Sequence, residues 1–318
     1  MQRWTELGQV PPGFGPSVVT IGNFDGVHLG HRQVLSRMVA DARAAGIRAI
    51  AMTFDPHPLR LHRPDQAPEL ITGIRDRLEL LAETGLDAVL VQQYTWEFAR
   101  QSPAGFVRRY LVDGLRAATV VVGHDVRFGW QNAGDLSTMM DLGKEHGFTV
   151  EVIDDVSTPG ELRRWSSTWV RELLAAGDVA GAAEILGRPH RLRGTVVRGD
   201  QRGRDLGFPT ANLAADSEGL IPADGVYAGW LTRTAGREPT PSERMPAAVS
   251  IGTNPTFDGE SRRVEAFVIG RDDLDLYDDE VLIELVQRLR PTLRFDSVTE
   301  LVDTMHDDVA KARVVLGS

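Results

Sequence analysis

The chain has 318 residues, 42% of them apolar and 25% charged, with a formal net charge of −10 and no cysteine. At about 100–200 residues per domain this leaves room for two domains of ordinary globular composition. The missing thiols exclude disulfides, zinc–thiolate sites, iron–sulfur clusters and cysteine nucleophiles.

No apolar run approaches the ~18 residues of a membrane span. Residues 1–6 carry neither a basic region nor an apolar core, so no signal peptide is expected. These features point to a soluble, cytoplasmic protein without a membrane partner. The acidic balance speaks against a broadly basic nucleic-acid binder, and no nucleic acid is expected as a partner. Lysine occurs only at Lys144 and Lys311. Neither has the Gly-Lys-Ser/Thr context of a Walker A loop or the strand context of a protein kinase. Phosphate handling would fall to arginine, backbone amides, histidine and a metal.

Residues 17–24 read as a buried strand, and 31–45 as a helix with Val34, Leu35, Met38, Val39 and Ala42 on one face. Strands follow at 47–54, 88–91, 118–122 and 148–153, with helices at 74–84, 103–112 and 136–146. Such βα repetition predicts a Rossmann-like α/β domain with a mostly parallel sheet, whose ligands sit at the carboxyl ends of the strands. Short helical turns over 177–189 link this half to the next. The second half has β-like runs at 190–199, 207–213, 225–233, 247–251, 263–270 and 280–288, then a helical stripe over 298–315. Six strands and a terminal helix predict a small closed β-barrel with a covering helix. The stretch 237–246, rich in Pro and charge, reads as a surface loop. The domains are expected at 1–186 and 187–318.

The first strand runs into Gly22-Asn23-Phe24-Asp25-Gly26-Val27-His28-Leu29-Gly30-His31. Glycines allow a tight turn and close backbone approach. A helix start offers free N–H groups and partial positive charge to a phosphate. His28 and His31 lie three apart, so both rings can face one point. Surface histidines or a two-histidine metal site are the alternatives. Further segments follow strand ends or open helices: Phe54-Asp55-Pro56-His57-Pro58, then Gly123-His124-Asp125-Val126-Arg127-Phe128-Gly129, then Ser166-Ser167-Thr168-Trp169-Val170-Arg171. Alone, the serines and Thr168 could be helix caps, and Arg171 could pair with Glu172 or Glu161. In the second half Gly199, Gly203 and Gly207 flank Arg202 and Arg204 in a loop that suits an anionic phosphate chain or a flexible hairpin. It leads into Gly207-Phe208-Pro209-Thr210-Ala211-Asn212. Glu265 lies inside an apolar strand, facing either solvent or the barrel mouth.

The ordered first set resembles the FMN adenylyltransferase half of the bacterial bifunctional FAD synthetases, and the second set resembles their riboflavin kinase half. The resemblance covers essentially the whole chain. It implies two ATP-dependent reactions: riboflavin to FMN, then FMN to FAD with release of pyrophosphate. It implies nucleotide or flavin contacts at Gly22, Asn23, Phe24, Asp25, Gly30, Phe54, Pro56, His57, Asp125, Arg127, Ser167 and Thr168. In the barrel it implies such contacts at Gly199, Arg202, Gly203, Arg204, Gly207, Phe208, Pro209 and Asn254. His28, His31 and Arg171 would stabilise phosphate charge, and Glu265 would be the kinase base. Thr210 and Asn212 would hold Mg²⁺ with ATP, as hard oxygen ligands do. The partners implied are ATP, riboflavin, FMN and FAD; an oligomer is left open, and no redox cofactor is implied because flavin is substrate and product. Val126, Trp165 and Asp278 stand where the family usually has an aromatic residue, an aliphatic residue and glycine. A single live domain, another phosphorylated acceptor, or a flavin-binding protein without turnover are the competing readings. Separate assays of riboflavin and FMN with Mg-ATP discriminate among them.

Overall fold

A computed structural model describes residues 1–153, 163–199, 206–234, 243–256, 259–271 and 273–318, with the backbone alone for 254–256 and 259–261. The chain forms two compact units, Met1–Pro68 with Ile74–Trp165, and Glu69–Gly73 with Ser166–Ser318.

In the first unit the elements run β1 (Gln2–Trp4), β2 (Ser17–Ile21), α1 (Leu29–Ala44), β3 (Arg48–Asp55), α2 (Pro58–His62), α3 (Ile74–Ala82), β4 (Ala88–Gln93), α4 (Trp96–Ala99) and α5 (Pro103–Phe106). A π-helix (Val107–Gly114), β5 (Ala117–Gly123), α6 (Leu136–His146) and β6 (Thr149–Ile153) complete it. The sheet order is β1-β4-β3-β2-β5-β6, and every neighbouring pair is parallel. The central strands are apolar on both faces because helices cover both. One layer buries Ile50, Leu90, Phe106, Tyr110 and Met139, and the other buries Leu35, Met38, Val39, Leu80 and Leu81. From β2 the chain winds outward through β3 and β4 on one side, then returns to place β5 on the other. The crevice beside the carboxyl end of β2 is therefore the topological switch point.

The expected strands and long helices are present. The expected helix over 103–112 becomes α5 followed by the π-helix. The strand expected over 17–24 stops at Ile21, because 22–27 are a turn, and α1 starts two residues earlier than expected. β1 has no sequence signature: three residues with one apolar side chain are a strand only because β4 offers its edge, Trp4 opposite Leu90.

The second unit holds α7 (Ser167–Ala176), α8 (Val179–Leu186), β7 (His190–Val197), β8 (Thr210–Leu213), β9 (Gly225–Arg233), β10 (Met245–Thr256), β11 (Gly259–Val268), β12 (Glu280–Arg290) and α9 (Val298–Leu316). The six strands close a barrel in the order β10-β11-β8-β7-β12-β9, with antiparallel neighbours. Val264, Ala266 and Val268 are buried inside it. By the two-residue period of a strand, Glu265 and Phe267 face outward, where α9 lies against the wall through Ala312 and Val309. The loop expected over 237–246 ends earlier, since Met245 and Pro246 pair with Leu231 and Trp230 as the start of β10; residues 237–242 lie outside the described residues.

Candidate active sites

At the end of β2 the backbone takes positive φ at Phe24 (49°), Gly26 (80°) and Val27 (39°). Phe24 and Val27 are side-chain-bearing residues in the left-handed region, which is uncommon and marks a turn fixed by its surroundings. The fixing groups are visible. Asn23 O accepts from Arg77 Nη1 at 2.9 Å and from Thr53 Oγ1 at 3.1 Å. Arg77 and Thr53 are both fully buried. The Leu59 N–H donates to His57 Nδ1 at 3.2 Å, which leaves the ring proton on Nε2. The Asn23 side-chain amide lies 3.1 Å from that Nε2. Asp25 is 2% exposed within the same turn.

His28 is the N-cap of α1, its Nδ1 accepting from the His31 N–H at 3.3 Å. The two imidazoles stack with centroids 3.7 Å apart and planes 20° apart, so the three-residue spacing does bring them to one place. Burial, and secondarily the neighbouring His28, hold the His31 pKa well below 6.5. His31 is therefore neutral at pH 7 and acts as a hydrogen-bonding group rather than a cation. Its buried Nδ1 has no hydrogen-bond partner among the described residues. Gly30 and Gly22 serve the rings: a Cβ on Gly30 would lie 3.1 Å from the His28 ring and 3.7 Å from Trp165, and one on Gly22 would lie 3.0 Å from Phe24.

Beyond β3 and β4 opens a cavity of about 660 Å³ bordered by Asp55, Pro56, Gln92, Gln93, Phe98, Arg109 and Tyr110. Phe54 lies against Tyr94 and Phe98, with centroids 5.4 and 5.7 Å away. Asp125 and Arg127 are exposed after β5, and Phe128 packs on Phe106. Ser166, rather than Ser167, caps α7, its Oγ accepting from Trp169 N at 3.2 Å. Ser167, Thr168 and Arg171 belong to the second unit, where Arg171 Nε donates to Glu69 O at 2.9 Å. Glu161 lies outside the described residues.

Two cavities open on the barrel. One, of about 610 Å³, is bordered by Gly199, Gly207, Pro209, Thr210, Asn212, Asp275, Leu276 and Tyr277. The other, of about 280 Å³, is bordered by Phe208, Thr210, Ser250, Glu265 and Phe267 on the wall and by Leu301, Met305 and Val309 of α9. Thr210 borders both, with Oγ1 3.5 Å from Glu265 Oε2. Glu265 thus faces the cavity beneath α9 rather than the barrel interior, and Phe208 stands with it. Asn212 Nδ2 donates to Thr210 O and Oγ1 at 3.3 and 3.2 Å. A Cβ on Gly199 would lie 2.6 Å from Asn212 Cγ and Oδ1, so glycine there lets the backbone close over the amide. Asp278 has φ 62°, which accounts for the expectation of glycine at that turn. Arg202, Gly203 and Arg204 lie outside the described residues, as does the side chain of Asn254. The sequence alone did not single out Arg77 or Thr53, which act through the turn from distant positions.

Fold and sites define a class: a phosphate-transfer enzyme with two separate catalytic domains in one chain. The family model for FAD synthetase matches residues 12–168, and that for riboflavin kinase matches residues 186–316. The bifunctional riboflavin kinase/FMN adenylyltransferase of Escherichia coli strain K12 is 36% identical over 300 residues, 94% of this chain and 93% of that one. The protein of the same description from Pseudomonas fluorescens is 35% identical over 316 residues, 99% and 98% of the two chains. A solved Streptococcus pneumoniae structure described as a macrolide-efflux protein is similar across 98% of both chains, with a TM-score of 0.84 and 28% identity. Among the described residues of this chain, no helix is long and apolar enough to cross a membrane. The chain belongs to the bifunctional riboflavin kinase/FMN adenylyltransferase family, with both activities of flavin cofactor synthesis.

Proposed function

We propose that the barrel phosphorylates riboflavin at the point where its two cavities meet. ATP occupies the cavity of Gly199, Gly207, Pro209 and Asn212. Riboflavin occupies the cavity under α9, against Phe208. Glu265 takes the proton of the 5′-hydroxyl, the hydroxyl oxygen attacks the γ-phosphorus, and the bond to the β-phosphate oxygen breaks to release ADP. Thr210 as a border of both cavities, beside Glu265, is the observation that carries this reading. The Thr210 hydroxyl and the Asn212 amide oxygen are hard donors, and the closeness of Gly199 to Asn212 makes a fitted cradle; this set fits Mg²⁺ brought with ATP. No group of three or more His, Asp or Glu that could hold a metal by itself occurs among the described residues. When bound, the ion supplies neutralisation of polyphosphate charge.

The parallel unit transfers AMP to FMN. The turn at Gly22–Asp25, the start of α1 and the His28–His31 pair receive the ATP phosphates, supported by Asp125 and Arg127. The cavity beyond Phe54, Pro56 and His57 receives the flavin, its size and its mix of amide and aromatic borders suiting a polar tricyclic ring. An FMN phosphate oxygen attacks the α-phosphorus and pyrophosphate leaves, so no protein nucleophile is required. Catalysis rests on positioning and on donors aimed at developing charge. We place the functional boundary at residues 186/187, close to residue 186 at which the riboflavin kinase match starts, and the working compartment in the cytoplasm.

Separate assays with Mg-ATP test the division of labour. Glu265→Gln lowers FMN formation by about 10²–10⁴-fold and leaves FMN-to-FAD conversion intact. His28→Ala with His31→Ala does the reverse. Loss of both activities from either variant in a folded protein refutes the assignment.

A further inference from the structure

The cavity under α9 is apolar along most of its border, with Val226, Ala248, Phe267, Leu293, Phe295, Leu301, Met305 and Val309 facing it. Thr210, Ser250, Glu265 and Thr292 also line it, and so does one charged pair. Arg290, at the end of β12, grips Asp308 of α9: Nε lies 3.0 Å from both carboxylate oxygens and Nη2 lies 2.8 Å from Oδ2. The two side chains are only 15% and 5% exposed. Arg290 Nη1 also donates to Pro291 O at 3.0 Å. A guanidinium has five N–H bonds, so one remains on each terminal nitrogen, and Asp308 Oδ1 keeps a lone pair. The pair thus presents donors and an acceptor side by side within a greasy wall.

Partly buried charges are not needed to fasten a helix to a barrel, since apolar packing does this as well or better. A donor–acceptor edge inside a ligand cavity has a different use, because it rejects ligands that cannot complete its hydrogen bonds. The isoalloxazine ring has a dimethylbenzene end without polar atoms and a pyrimidine end with an N3–H flanked by the O2 and O4 carbonyls. We propose that the Arg290–Asp308 pair reads the pyrimidine edge of riboflavin, the carboxylate accepting from N3–H and the guanidinium donating to a flanking carbonyl. The apolar border takes the dimethylbenzene end, and the ribityl chain runs toward Glu265. This rests on the kinase reading of the barrel and makes Arg290 and Asp308 specificity-determining residues, not participants in phosphoryl transfer.

The test compares riboflavin with N3-methylriboflavin, in which the N3–H is gone and the chain bearing the 5′-hydroxyl is unchanged. The full-length protein with Mg-ATP should prefer riboflavin by about tenfold or more in kcat/KM, mostly through KM. In the double variant Arg290→Met with Asp308→Leu, which keeps the wall packed and leaves no lone buried charge, the preference should fall to near unity. FMN-to-FAD conversion by the same polypeptide should persist. Equal use of both flavins by the unaltered protein overturns the proposal, and so does undiminished preference in the double variant. Absence of riboflavin phosphorylation in the unaltered protein overturns instead the kinase reading beneath it.

Discussion

Arg77 offers the sharpest test of how the first site is built. Its guanidinium is 0% exposed, and one terminal nitrogen donates to the Asn23 carbonyl at 2.9 Å from a position 54 residues away. Asn23 opens the turn whose positive-φ residues set where the α1 amides and the imidazole pair point. Arg77→Met keeps most of the volume and removes the charged donor, leaving Thr53 Oγ1 as the remaining grip on that carbonyl. A hydrogen bond from a charged group contributes about 1.5–3 kcal/mol, and if that contribution is expressed as correct placement of the turn it corresponds to about 10–150-fold in rate. The assay is FAD and pyrophosphate formation from FMN and Mg-ATP, with FMN formation from riboflavin as the internal reference. FAD formation should fall by that factor while FMN formation holds. Unchanged FAD formation in the variant would show that the turn does not depend on the buried arginine. A parallel fall in both activities would show that the residue supports folding rather than the site.

Gly199→Ala should reduce riboflavin phosphorylation on the order of 100-fold, because its Cβ would fall 2.6 Å from Asn212 Cγ and force the amide out of line; steady-state rates with riboflavin check this, and FAD formation from FMN should not change. The barrel also carries an acid sensitivity. Burial lowers the His190 pKa from 6.5 to about 4, while Nε2–H donates to Leu220 O at 2.7 Å. The unfolded chain takes up this proton first, so the contribution is fully present above pH 6.5 and is lost as pH falls toward 4, amounting to about 3 kcal/mol in all. Urea unfolding of the unaltered protein and of His190→Gln at pH about 7.5 and about 4.5, followed by kinase activity, should show the larger acid loss in the unaltered protein.

The primary structure by itself determined the alternation of strands and helices, the barrel that follows, and most of the turns proposed to receive phosphate. These properties are local. Apolar period, glycine and the three-residue spacing of His28 and His31 act within a few positions of one another, and the stacked imidazoles follow directly from that spacing. Tertiary structure decided what depends on partners far along the chain. β1 is a strand only because β4 has an open edge. The alternation around Glu265 says that it faces away from Val264 and Ala266. It does not say that α9 will roof that outer face and turn it into a cavity. Arg77 and the Arg290–Asp308 pair read as ordinary surface charges until folding removes water from around them. A buried guanidinium persists only where hydrogen-bond acceptors meet it, and which acceptors those are is set by packing between elements, not by the order of residues along any one of them.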